Sequence, residues 1–223
     1  MESRLSHVIF DLDGTLLDSE PLYTLAAERV CARYGKPFTL ELKRAIMGGD
    51  TQHGARTVVA ALALPISPEA YIHERERELV KLWPSLTPMP SAPAIVDALR
   101  ARGIGLALAT SGHRAVTETK LGYQPFLQSI AVRVCGDDPR LSRGKPAPDI
   151  FLLAAAELGV APAQCMVVED SRLGVQAGLA AGMRTVALVD TRYGFTDEQF
   201  AGAVQIVHSL ADIDLSLLEA PSA

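Results

Sequence analysis

Cysteine is scarce, and the three copies at Cys31, Cys135 and Cys165 lie far apart with no CxxC spacing. That spacing argues against a disulfide framework or a structural zinc site and suits buried, inert thiols in a reducing cytoplasm. Long hydrophobic runs are also missing. The apolar stretch from Val58 to Leu64 falls well short of the roughly 20 residues a membrane span needs, so no membrane partner is expected. The opening Met1-Glu2-Ser3-Arg4-Leu5 lacks the apolar core of a signal peptide. Basic residues are not in excess: 21 Lys and Arg stand against 26 Asp and Glu, a net charge of −5. No nucleic-acid partner is expected, because phosphate backbones need a broad positive surface. A small anionic substrate gripped by local positive groups is compatible with that balance. The five histidines show no metal-ligand pairing, and no repeat or low-complexity tract occurs. What remains is an ordinary globular composition, 48% hydrophobic and 21% charged, with too many apolar residues for disorder. A cytoplasmic monomer or weak homodimer is the expectation.

Two kinds of pattern alternate along the chain. His7-Val8-Ile9-Phe10 reads as a short buried strand that runs into Asp11-Leu12-Asp13-Gly14. From about Ser19 to Thr87 only helical patterns follow. Ser19 is placed to cap a helix with Pro21 in its first turn, and Leu22, Leu25, Ala26 and Val30 continue it at helical spacing. Further helices are predicted near Leu40–Met47, Thr51–Leu62 and Pro68–Trp83, and prolines at 84, 88, 90 and 93 mark a return linker. Beyond it, Ile104–Ala109, Ile130–Val134, Cys165–Val168, Thr185–Val189 and Val204–Val207 read as buried strands. Helices near Ala92–Ala101, Pro148–Leu158 and Leu173–Ala181 lie between them. Such alternation predicts an α/β fold: a Rossmann-like parallel sheet with helices on both faces, plus an all-helical domain inserted after the first strand. The expected domains are 1–18 with 88–223, and 19–87.

Four segments fall at predicted strand ends, where ligands sit in parallel sheets. In Asp11-Leu12-Asp13-Gly14, residues two apart point the same way, so two carboxylates could share a site, and only a cation or shared proton relieves their repulsion. A solvated acidic turn is the plain alternative. Thr110-Ser111-Gly112 offers hydroxyl and backbone N–H donors to an anion at a helix start, although the same tripeptide serves as a common cap. Lys145 is pinned between Gly144 and Pro146 and suits charge compensation, or else is a solvated loop lysine. Glu169-Asp170-Ser171 supplies either helix caps or metal ligands. Taken together, a few carboxylate oxygens suit Mg²⁺ that also holds a phosphate. A carboxylate can attack phosphorus if that charge is neutralised, and a second one can protonate the leaving alkoxide.

Asp11-Leu12-Asp13-Gly14-Thr15-Leu16-Leu17-Asp18-Ser19 resembles the first motif of the haloacid-dehalogenase-like hydrolase superfamily, and Thr110, Lys145 and Glu169-Asp170 resemble its other three in order. The resemblance implies Asp11 as nucleophile and Asp13 as general acid/base. It implies Mg²⁺ held by Asp11, the Asp13 main-chain carbonyl and Asp170, with Glu169 supporting that shell. Thr110, Ser111 through its amide, and Lys145 would hold the phosphoryl group. The helical insertion is similar to the cap of the phosphoglycolate-phosphatase and β-phosphoglucomutase branch. Gly136-Asp137-Asp138-Pro139 with Gly144-Lys145-Pro146-Ala147-Pro148-Asp149 looks like the pseudouridine-5′-phosphatase and small sugar- or polyol-phosphate phosphatase group.

The implied partner is a small phosphorylated metabolite, hydrolysed through an aspartyl-phosphate. Glu20, Tyr23, Asp50 and His113 are candidate substrate contacts, each with a structural alternative such as Tyr23 packing its own helix. A β-phosphoglucomutase-like mutase is the second reading, and a phosphoryl-accepting or phosphometabolite-binding module without turnover the third. Asp13 argues against a metal-free dehalogenase, and the chain length and insertion against a receiver domain. The run His73-Glu74-Arg75-Glu76-Arg77-Glu78 reads as a solvated, ion-paired helix face.

Overall fold

Three of the four residues in β1 (His7–Phe10) are fully shielded from water, which a strand achieves only at the centre of a sheet. A computed structural model of the chain describes residues 4–47 and 51–218. After β1 come four helices, α1 (Glu20–Arg33), α2 (Leu40–Ile46), α3 (Thr51–Leu62) and α4 (Pro68–Leu82). Then follow α5 (Ala92–Ala101), β2 (Gly105–Thr110), α6 (Arg114–Gly122), β3 (Val132–Cys135) and α7 (Asp149–Leu158). The chain closes with β4 (Cys165–Glu169), α8 (Arg172–Ala180), β5 (Arg184–Leu188) and β6 (Gln205–Val207). Two compact units result, one of residues Met1–Asp18 with Pro88–Ala223 and one of Ser19–Thr87.

The helical unit closes around Val30, Cys31, Leu42, Ala55, Val58, Leu64 and Tyr71, drawn from all four helices and the α3–α4 turn. Thr39 and Ser67 cap α2 and α4 through their hydroxyls, each contact stabilising its helix by about 1 kcal/mol. Ser19 does not cap α1 as the sequence suggests. Its backbone is already helical (φ −85°, ψ −19°), so its carbonyl accepts from Leu22 and Tyr23 while its hydroxyl accepts from none of the first-turn amides. The charged run on α4 also departs from a solvated face. Glu78 is buried and pairs with Arg33, Arg29 and Lys81, and Glu74 accepts from Arg33 and Tyr34. Only part of the stripe is solvated, because these glutamates fall on the side of α4 that packs against α1.

In the other unit, six strands form one wholly parallel sheet in the order β3-β2-β1-β4-β5-β6. On one face Ile9, Ala107, Ala109 and Val167 pack with Ile150, Phe151 and Ala154 of α7 and Ala177 of α8. Small residues on the sheet let these helices approach closely. By strand alternation Val8, Phe10 and Leu108 point to the opposite face, where they are fully buried. β1 lies between β2 and β4, so the chain leaves its centre in both directions. The carboxyl end of β1 is therefore the switch point where parallel sheets open a crevice.

Candidate active site

The segment after β1 turns back on itself within seven residues. The Leu12 carbonyl accepts from the amides of both Leu16 and Leu17, and the Gly14 amide donates to the Leu17 carbonyl at 2.8 Å. Leu12, Leu16 and Leu17 are fully buried and anchor the turn, which leaves Asp11, Asp13 and Thr15 at the carboxyl end of the sheet. Gly14 has φ +84°, and a Cβ there would lie 2.3 Å from Asp170 Oδ2. Only glycine lets the Asp170 carboxylate approach this turn, where its Oδ1 also accepts from the Thr15 hydroxyl at 3.0 Å.

The ends of β2 and β4 and the loop between β3 and α7 deliver the remaining groups. Lys145 Nζ donates to Asp11 Oδ1 and Glu169 Oε1, both at 2.6 Å, and to the Ala109 carbonyl at 3.0 Å. Its ammonium also lies 5.0 Å from the ring centre of Phe151, so the lysine is pinned from below as well. The other Glu169 oxygen accepts from the Ser171 amide and hydroxyl, and Ser171 in turn caps α8 through Gly174. One lysine thus serves two buried carboxylates. Burial pushes the Asp11 carboxyl up to about 7 against the pull of Lys145, and Glu169 and Asp13 add to the rise. Burial acts to lower the Lys145 ammonium, but Asp11 and Glu169 outweigh it and hold it above its ordinary range.

Thr110 is buried at the end of β2, with its hydroxyl oxygen accepting from the Gly112 amide at 3.1 Å. That leaves the hydroxyl hydrogen for an acceptor in the site. Ser111 is exposed beside it. The loop after β3 braces this turn. The Gly136 amide donates to the Gly112 carbonyl, and a Cβ at Gly136 would lie 2.3 Å from the Ser111 carbonyl oxygen. Asp137 accepts from the Arg114 amide at 2.9 Å and so caps α6, while Asp138 is held by Arg140. The Gly136-Asp137-Asp138 motif is therefore a buttress for the turn that begins α6.

Of the sequence-derived residues, Asp11, Lys145 and Glu169 meet directly, and Asp170 joins them through Thr15 and the Gly14 turn. Glu169 turns both oxygens to Lys145 and Ser171. Among the described residues no group of three His, Cys, Asp or Glu side chains forms a ready cage for a metal. The donors fit Mg²⁺ nonetheless, since that ion takes one or two carboxylates and completes its shell with water and phosphate oxygens. The excess of buried carboxylate around a single lysine calls for such a positive charge. Glu20 and Tyr23 belong to the helical unit, where the Glu20 carboxylate is held by Lys43 and the Tyr23 ring stands edge-on to Trp83 at 5.7 Å. His113 is exposed at the start of α6, and Asp50 lies outside the described residues.

Sequence reasoning missed Lys120. On α6 it is fully buried, and its Nζ donates to both oxygens of Asp13, at 2.6 and 2.7 Å. The signal was present: Thr117, Lys120 and Leu121 follow at helical spacing and form the buried stripe of α6. A lysine in that stripe needs a buried anion opposite it.

A family model described as haloacid dehalogenase-like hydrolase matches residues 5–182. A Drosophila melanogaster protein named "Probable pseudouridine-5'-phosphatase" is 39% identical over 213 residues, covering 94% of this chain and 91% of its own. The Arabidopsis thaliana "(DL)-glycerol-3-phosphatase 1, mitochondrial" is 38% identical over 215 residues, covering 93% of this chain and 71% of its own. Among solved structures, a Thermotoga maritima protein titled "putative beta-phosphoglucomutase" superposes with a TM-score of 0.76 at 34% identity, covering 91% of this chain and 94% of that one. No described helix is long and apolar enough to cross a membrane.

Proposed function

The chain belongs to the haloacid dehalogenase-like hydrolase family, among its phosphatases, and from that premise we propose a Mg²⁺-dependent phosphomonoester hydrolase for a small metabolite that works through an aspartyl-phosphate on Asp11. The observation that carries this reading is the buried Asp11–Lys145–Glu169 cluster at the switch point of the sheet. Asp11 is the one carboxylate there that combines burial, a cationic neighbour and a place between the ends of β2 and β4.

An Asp11 carboxylate oxygen attacks phosphorus and forms a new P–O bond as the ester P–O bond opposite it breaks. Asp13 delivers a proton to the departing alkoxide, then takes one from the water that hydrolyses the acyl phosphate. Lys145, held by Glu169, places positive charge beside the attacking oxygen, and Thr110 donates its hydroxyl to a phosphoryl oxygen. Mg²⁺, held by the Asp11 and Asp170 carboxylates and the Asp13 main-chain carbonyl, would supply further charge neutralisation for the phosphate.

The substrate proposed is the monophosphate of a nucleoside, sugar or polyol. The names of the Drosophila and Arabidopsis relatives support the nucleoside and polyol classes. Hydrolysis is favoured over mutase chemistry because a mutase must grip a second phosphate, and Met47-Gly48-Gly49-Asp50-Thr51-Gln52 contains no Arg or Lys. Lys43 nearby already pairs with Glu20. A panel of phosphomonoesters should release inorganic phosphate with the wild-type protein, and Asp11→Asn should abolish both turnover and an acid-stable phosphoryl label. Substantial turnover by D11N would remove the covalent route. Faster conversion of β-glucose 1-phosphate to glucose 6-phosphate than to inorganic phosphate, with glucose 1,6-bisphosphate present, would instead establish a mutase.

A further inference from the structure

Lys120 lies outside all four of the motif segments, yet it is among the most deeply buried charges in the described residues, with no exposed surface. Taking an ammonium out of water is costly, and the cost is met only when an anion and good geometry replace the lost hydration. Here the replacement is unusually complete: both oxygens of Asp13 accept from the one Nζ, at 2.6 and 2.7 Å. A lysine that only filled space could be an apolar residue of the same length at no such cost.

The surroundings fix where this pair lies. A Cβ built on Gly112 would be 3.4 Å from Thr110 Oγ1 and 3.9 Å from Asp13 Oδ2, so the Asp13 carboxylate stands beside the turn that carries the proposed phosphate donor. The Asp13 side chain keeps about a fifth of its surface exposed, whereas the Lys120 side chain keeps almost none. The lysine therefore approaches from the protein interior and leaves the open side of the carboxylate to the site. The other end of α6 is tied down by Asp137 at the Arg114 amide and by Arg114 at the Arg133 carbonyl, which makes the helix a rigid mount.

We infer that Lys120 is a positioning residue: from its fixed place on α6 it grips both oxygens of Asp13 and so sets the direction in which that carboxylate meets the leaving oxygen. The inference rests on Asp13 being the general acid/base. It assigns Lys120 no contact with substrate. It differs from a merely structural anchor in one measurable respect. A misdirected acid harms esters whose leaving group needs a proton and largely spares those whose leaving group does not.

The test compares wild type, Lys120→Met, Lys120→Gln, Asp13→Asn and the D13N/K120M double variant, all in the full chain with Mg²⁺. The readout is kcat/KM for 4-nitrophenyl phosphate, phenyl phosphate and glycerol 3-phosphate, because kcat/KM follows the step in which the ester bond breaks. K120M should lose about 100-fold on glycerol 3-phosphate and less than about tenfold on 4-nitrophenyl phosphate, with phenyl phosphate between them. K120Q keeps a donor without the charge and should show the same graded loss to a smaller degree, so it carries the test if K120M does not fold. In the D13N background, K120M should add no further selectivity, since a residue that acts only through Asp13 has nothing left to orient. A uniform loss across the three esters in the Lys120 variants, with D13N graded as expected, overturns the role of Lys120 alone. A D13N variant that handles glycerol 3-phosphate as wild type does overturns the assignment of Asp13 itself.

Discussion

Adding one methyl group to Gly174 should damage this protein far more than the same change at Gly122, although both glycines lie in helices. A Cβ at Gly174 would fall 1.7 Å from Glu169 Oε1 and 1.9 Å from its carboxyl carbon. Nothing nearby can yield cheaply. Glu169 is fully buried, one oxygen is bound to Lys145, and the other accepts from Ser171, whose hydroxyl caps α8 through the amide of Gly174 itself. Either α8 moves and its cap is lost, or Glu169 leaves Lys145. Overpacking costs about 1–3 kcal/mol, and loss of a cap about 1 more. Release of a hydrogen bond between charged groups costs about 1.5–3. Since the chain can avoid some of these together, Gly174→Ala should destabilise by about 3–5 kcal/mol. At Gly122 the added Cβ meets nothing within 4 Å beyond its neighbours and its own helix backbone, and the residue closes an ordinary helix. Gly122→Ala should be neutral or stabilising, by up to about 1 kcal/mol. Urea unfolding followed by circular dichroism measures both. If G174A matches wild type within about 0.5 kcal/mol, Glu169 is not packed closely against α8.

Lys145→Met leaves two buried carboxylates facing each other and should destabilise by about 3–5 kcal/mol, while a second change, Glu169→Gln, should recover part of that loss. Both variants should be at least 100-fold less active on 4-nitrophenyl phosphate, and a K145M protein of wild-type stability would contradict the ion-pair geometry. Exhaustive chelation should abolish phosphate release and Mg²⁺ should restore it, with Ca²⁺ a poor substitute because it prefers about 6–8 ligands in looser geometry. Full activity in the chelated protein would refute the metal requirement.

The strands and most helices were legible because they depend on local pattern. β1 and β4 are short apolar runs that end in acidic residues, and each structural strand lies within a residue or two of the pattern that predicts it. The motif residues at strand ends were legible for a related reason, since a carboxylate at the end of a buried run has few roles. What the sequence did not disclose depends on which distant groups meet. Nothing local says that Lys145 divides its bonds between Asp11 and Glu169, because those residues lie 134 and 24 positions away. Lys120 escaped because lysine in a short helix ordinarily faces water, and only the position of Asp13 across 107 residues makes it a buried partner. Ser19 misled for the opposite reason. Its type suits a cap, but capping needs an extended backbone at that residue, and Ser19 is already helical.

The central place of β1 also governs the order in which the molecule can assemble. His7 pairs with Gly105 on one side and Cys165 on the other, so neither neighbour exists when β1 is made. At about 5–20 residues per second, β1 leaves the ribosome roughly 5–20 s before β2 and longer still before β4. Throughout that interval Val8, Ile9 and Phe10 have no sheet to enter. The helical unit draws its own core wholly from residues 19–87, so it is expected to fold within that gap. Chains stalled after Thr87 has emerged should then resist protease across residues 19–87 while the first 18 remain open to it. Asp11, just past the end of the first strand synthesised, is among the last groups to find its partners.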